Sequence, residues 1–491
     1  MAKLQWLGVA TIGVLLLAGP ATASKHPTHR ALKTHFVNFG IAETPGVACP
    51  GGKSCSNIAA EPAIRSDAAG EFFASSENGL GSGTEAWRSL DGGRHYTALD
   101  SPNQGSTSNT SGFAPGGGDT DLAVATAENS SKHYNVYVSS LSLANVDVST
   151  SSDQGKTWSL NPIGADVGAD DRPWIAADGA SKVCVSYHDG EQNIDVDCST
   201  DAGSTFTQLA SAIDTNHLYQ VGNNEIGNLA IDPKTHDIFQ TYSAITDSSE
   251  ISCAPQLGVS AGTCGYHGVY MAVSTDGGSS FTDYPVYVNK KATVDYGHQF
   301  VNVSVDSAGN VYSVYTDDHH VYYSFSTDHG QKWSGPYQIT TNGGTQIFPW
   351  STAGAAGKLD VVYYQTPYYD ASQIPDTYPD KAIWTVGFAQ NLHALKAGSK
   401  WTRTTATPTV HKGAVCESGA TCSGNRDLYD DFGVAASPLT GFASIVYSDD
   451  QWAKNGQTNP NCTAQSASNS SSCDHTAVAT QTSGPRIFSH H

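Results

Sequence analysis

Six short polar segments carry most of the residue types that could do chemistry. They read GGGDTDLAV (Asp119, Asp121), GADDRPWIA (Asp170, Asp171, Arg172), GNNEIGNLA (Glu225), VDYGHQFVN (Tyr296, His298), QIFPWS (Trp350) and GNRDLYDDFGV (Arg426, Tyr429, Asp430, Asp431). Most run into an alternating apolar stretch, so they mark entrances to strands. Beyond the first 23 residues the chain has only eight arginines, so two of them beside aspartate pairs at strand entrances carry information. Carboxylates supply an acid and a base, a guanidinium clamps an anion, and Trp or Tyr faces stack on sugar rings. A structural role competes with this at each position. Asp before a strand satisfies turn backbone, Arg beside Asp forms ion pairs, and a lone His298 reads first as a hydrogen-bonded structural residue. The Asp119/Asp121 pair offers oxygen donors of the kind Ca²⁺ takes. No other metal or cofactor is expected, because His188, His319 and His320 form no ligand spacing.

The elements that must position these residues are repeats. SLDGGRHY, SSDQGKTW, STDAGSTF, STDGGSSF and STDHGQKW all obey S-x-D-x-G-x-x-aromatic, with central aspartates at Asp91, Asp153, Asp201, Asp276 and Asp328. Their spacings of 62, 48, 75 and 52 residues are those of propeller blades. Strand-turn-strand openings, such as WIAADGASKVCVSYHD and VNVSVDSAGNVYSVYTD, precede them, and seven such openings can be counted. Each unit is about four strands, too small to bury both faces alone, so the units must stack radially. The chain therefore reads as all-β, a seven-bladed β-propeller whose sixth and seventh blades lack the octapeptide; six blades is the alternative. The segments 34–42 and 476–483 are expected to join in one sheet and close the ring.

Residues 1–23 combine Lys3, a short apolar run and an Ala-Thr-Ala exit, the pattern of a secretory signal peptide. The remainder, 24–491, reads as a single propeller domain, secreted and acting as a monomer. Ten cysteines form five close pairs, Cys49/Cys55, Cys184/Cys198, Cys253/Cys264, Cys416/Cys422 and Cys462/Cys473, and local pairing in an oxidising compartment is the economical reading. A formal charge of −21 argues against nucleic acid as a partner, since phosphate binding needs clustered Lys and Arg. No later segment is apolar for long enough to span a membrane.

The octapeptide resembles the Asp-box, or BNR repeat, of sialidases and other secreted propellers. In that family the box lies on the hairpin joining the two outer strands, remote from the active face. The octapeptide's own physics agrees: Asp and Ser bond turn backbone, Gly takes a positive φ, and the aromatic wedges between sheets. The box is a stitch, and the site belongs at the opposite mouth.

The resemblance extends to DRPWIAADGASKVCVSYHD, which is similar to the sialidase strand whose arginine begins a triad clamping the substrate carboxylate. It implies Arg172 at the first triad position, Arg65 and Arg426 at the others, Glu225 and Tyr429 as the glutamate and tyrosine nucleophile pair, and an aspartate such as Asp171 or Asp431 as acid/base. Asp119, Asp121, His298 and Trp350 would line the substrate. Asp171 stands where the family has an aromatic, and the arginine that usually follows the glutamate is missing from GNLAIDPKTHDIFQTY. The function implied is a secreted sialidase-like glycoside hydrolase acting on an extracellular glycan. The alternatives are a non-catalytic propeller binding a glycan or protein through the same mouth and, third, a polysaccharide lyase.

Overall fold

A computed structural model describes residues 33–42, 60–103, 116–142, 145–165, 168, 170–255, 263–416, 422, 426, 428–451 and 475–488. The leader read at 1–23 lies outside these residues. Seven antiparallel sheets follow one another along the chain, and their innermost strands neighbour each other in a closed cycle. The innermost strands are β2 (Ala60–Ser66), β6 (Thr120–Glu128), β10 (Asp171–Asp178), β14 (Asn224–Ile231), β18 (Asn302–Val305), β22 (Thr345–Ala353) and β27 (Gly433–Ala436). The molecule is thus a seven-bladed β-propeller. In the seventh blade β1 (His35–Gly40) pairs with β29 (His475–Ser483), matching Phe36 to Gln481 and Gly40 to Ala477. The two ends of the described chain therefore share one sheet, as expected.

Burial explains why the strands read so apolar. Each blade is covered on both faces by its neighbours, so β16 (Gly268–Ser274) and β19 (Val311–Thr316) are buried at every residue. The octapeptides lie between the third and fourth strands of the first five blades, and their bonds repeat. Ser89 Oγ donates to Asp91 Oδ1 at 2.9 Å, Gly93 N–H donates to Ser89 Oγ at 2.9 Å, and His95 N–H donates to Asp91 Oδ1 at 3.0 Å. The same three bonds recur at the other four copies. The glycine is required: Gly155 has φ +78°, and a Cβ there would stand 2.5 Å from Leu99 Cδ1. The final aromatic joins a buried cluster that includes residues of a neighbouring blade, Trp158 with Leu99 and Phe73, and Phe206 with Val148 and Tyr137.

Since strands alternate in direction, these hairpins lie at the end where the innermost strands finish. The entrances to those strands lie at the opposite end. Cys184–Cys198 bridges adjacent strands of the third blade, Cys253–Cys264 pins an insertion in the fourth, and Cys416–Cys422 closes a short loop. The pairs Cys49/Cys55 and Cys462/Cys473 lie outside the described residues.

Candidate active site

Three innermost strands begin with the same device. Glu61, Arg172 and Phe348 each precede a proline, and each has a left-handed backbone with φ of +50°, +56° and +51°. The ladder slips at each place, between Ala60 and Ala63, Asp171 and Trp174, and Ile347 and Trp350. Proline cannot donate to the ladder, so the strand bulges there. Left-handed backbone at non-glycine residues costs about 1–3 kcal/mol, and the surrounding contacts must hold it.

Those contacts form a cluster of ions at the mouth. Glu61 is wholly buried, with Oε2 accepting from Arg172 Nη1 at 2.8 Å and Oε1 accepting from Arg426 Nη2 at 3.2 Å. Arg172 also stands 2.9 Å from Asp431 and 3.5 Å from Asp119, while Arg426 pairs with Asp430. The Arg172 guanidinium lies over the rings of Phe300 (4.3 Å) and Trp174 (4.9 Å). Residues from the first, second, third and seventh blades thus meet at one place.

Burial would lift the Glu61 carboxyl, but the charges of Arg172 and Arg426 outweigh it and hold its pKa below the ordinary value. The surrounding acids go the other way. Burial, with Glu61 nearby, pushes Asp119 up to about 6; burial, opposed by Arg172, leaves Asp431 at about 8; and burial carries Glu77 and Asp430 well upward. Glu225 is half-buried beside them and is raised to about 8, by burial and then by the charge of Asp171. It has room because position 297 is glycine, where a Cβ would stand 3.1 Å from Glu225 Cβ. Asp171 is exposed, and its Oδ1 accepts from the Arg172 N–H at 2.9 Å.

The residues singled out in the sequence separate into groups. Arg172, Arg426, Asp119 and Asp431 meet around Glu61. Tyr429 carries the Arg426 guanidinium over its ring at 5.3 Å. Arg65 lies deeper, gripping Asp121 with one Nη at 2.9 and 3.1 Å, with its guanidinium 5.4 Å from the Trp350 ring. Asp121 also accepts the backbone N–H groups of Leu122 and Ile175, and Trp350 packs on Trp174 at 5.3 Å. These groups brace the innermost strands. His298 sits between Asp318 (2.6 Å) and Asp376 (3.1 Å), on the side of the fifth and sixth blades. Of the three arginines that the family resemblance brings together, two share Glu61 and the third is held by Asp121.

Glu61, at the centre, escaped the sequence reading, as did Glu77. For Glu61 a signal was present: AEPAIRS, DRPWIAAD and QIFPWSTA share a residue-Pro step at the start of an innermost strand. Aligning them on proline sets Glu61 beside Arg172.

Two alternatives to the mouth are less suited to chemistry. A cavity of about 280 Å³ lies lower in the channel, and among the described residues Arg65 is the only ionisable one in its wall, which is otherwise built largely from small residues such as Ala123, Ala177 and Ala436. As a cation seat, the oxygens of Glu61, Glu77 and Asp119 lie within 4.8 Å of one another. Two guanidiniums already supply the positive charge there, and Asp121, which the sequence paired with Asp119, is taken by Arg65.

No family model and no curated protein matches this sequence. Among solved structures, the chain is similar to the α-L-arabinofuranosidase Arb93A of Fusarium graminearum, at 12% identity and TM-score 0.45, covering 91% of this chain and 97% of that one. A protein of unknown function from Dyadobacter fermentans gives 11% identity and TM-score 0.46, covering 92% and 100%. The Aleuria aurantia lectin gives 13% identity and TM-score 0.41, covering 73% and 97%. Likeness of this size says nothing about what the mouth binds.

Proposed function

We propose that this propeller is a glycoside hydrolase whose chemistry sits at the channel mouth, with Glu225 as general acid and Asp171 as general base. The observation that carries this reading is a half-buried Glu225 carboxyl raised to about 8, by burial and then by the charge of the exposed Asp171. Glycosidic cleavage requires a carboxyl that still holds its proton near neutrality, together with a second carboxyl group. Glu225 gives its proton to the departing glycosidic oxygen. Water adds to the anomeric carbon, and its proton passes to Asp171. Arg172 fixes both: its backbone N–H holds the Asp171 carboxylate, and its charge works against the burial that raises Glu225.

The test is release of sugar from a broad panel of aryl glycosides and oligosaccharides. Glu225→Gln should lower the rate by about 100-fold or more, and the wild-type rate should fall as pH rises through about 8, where the acid loses its proton. Unchanged turnover in Glu225→Gln would remove this assignment. A second reading, binding without turnover, is favoured by one fact: Arg172 is only 5% exposed and engaged by acids of the chain itself. Saturable glycan binding with no product from any substrate would establish it.

A further inference from the structure

We propose that Glu61 fills, from within the chain, a two-arginine seat for a carboxylate, so that the mouth takes an uncharged glycan and rejects acidic ones. This rests on the glycan-cleaving reading above for the nature of the ligand, but the filled seat stands on geometry alone. Two guanidiniums reaching one carboxylate, one to each oxygen, is how proteins hold an acidic ligand. Here the carboxylate belongs to Glu61, with Oε2 at 2.8 Å from Arg172 and Oε1 at 3.2 Å from Arg426. The Glu61 side chain has no exposed surface, and the residue takes a left-handed backbone before Pro62 to reach this place. A strained backbone aimed at the centre of a site marks a position that the rest of the fold over-determines.

Charge balance extends the argument. Arg172 is also engaged by Asp431 at 2.9 Å and Asp119 at 3.5 Å, and Arg426 by Asp430. Two guanidiniums therefore face four carboxyls, with Glu77 as a fifth nearby. A sugar carboxylate entering this mouth would meet no uncompensated positive charge and would have to shed its water beside other acids. Hydroxyl groups of a neutral sugar carry no such cost, since Asp119, Asp430 and Arg426 each keep part of their side chain open to donate or accept.

The experiment uses the full chain with Glu61→Ala, in acetate and in chloride at equal ionic strength. An emptied seat should bind acetate, so the variant's unfolding midpoint should rise by roughly 1–3 °C at acetate about tenfold over its dissociation constant, while the wild type should not respond. If Glu61→Ala does not fold unaided, the refolded yield in acetate against chloride gives the same answer. Equal behaviour in the two salts overturns the proposal. In parallel, wild-type protein is titrated with neutral oligosaccharides and with the same cores carrying a sialic or uronic acid. Acidic glycans bound or cleaved as well as their neutral counterparts also overturn it. Acetate rescue with no glycan of either kind bound upholds the seat and removes the glycosidase reading instead.

Discussion

Aspartates in the five outer hairpins and carboxyls at the mouth are one chemical group under opposite pressures. At Asp153 slight burial is outweighed by donors from Thr157, Ser151 and Lys156, and at exposed Asp201 the donors of Thr205 lead; both are held below the ordinary value, Asp201 at about 2. At the mouth, Asp431, Glu225 and Asp119 lie at about 8, 8 and 6, because burial dominates and neighbours are acids. The hairpin acids are bonded mainly to turn backbone and hydroxyls, and lie in water. The mouth acids are wholly or partly out of water and feel guanidinium charge and one another. The first arrangement stabilises a turn; the second creates groups that hold or release protons near neutrality. That is why the repeated motif, although it looks more like chemistry, is by its bonds a device for holding turns.

The comparison can be broken most strongly at Arg172. Arg172→Ala leaves the wholly buried Glu61 carboxylate with only Arg426, so it should cost about 3–5 kcal/mol in denaturant unfolding and remove turnover. A loss no larger than that of a hairpin variant would mean that the mouth cluster carries no special energy.

The next effect is in pH dependence. An unfolded aspartate ionises near 3.8, whereas folded Asp431 does so at about 8. Between these values the native state keeps a proton that the unfolded chain has released, so stability falls as pH rises across that window. Asp431→Asn should flatten part of this fall. A profile parallel to wild type would show that Asp431 is ionised in the fold.

Smaller still is Asp153→Ala, which removes bonds from Lys156, Thr157 and Ser151. A stability loss of about 1–2 kcal/mol with unchanged turnover is expected, and a loss of activity would place the hairpins in the site after all. The least effect belongs to Asp201→Asn, because that side chain is fully exposed. Its contribution is present above pH 3.8 and vanishes as pH falls through about 2, so wild type and variant should converge in acid.

Much of the architecture was legible. The Ser–Asp–Gly–aromatic spacing encodes a local hairpin whose bonds close within eight residues, and the seven alternating openings counted the blades. The mouth was legible only in part. Arg172, Arg426, Asp119 and Asp431 were marked by type and place, yet their partner Glu61 stood in a segment that reads as an ordinary strand. Asp119 and Asp121, two residues apart, were read as a pair, but Asp119 stands before the strand begins and faces Arg172, whereas Asp121 lies within the strand and is held by Arg65.

By itself the sequence determined what depends on neighbours along the chain: the period of the strands, the hairpin chemistry and the scarcity of arginine. Tertiary structure alone decided which charges meet. Glu61, Arg172 and Arg426 are separated by 111 and 254 residues along the chain, and only closure of the ring brings their strand entrances to one axis. Their protonation follows from burial there, and burial is a property of the assembled blades rather than of any one of them.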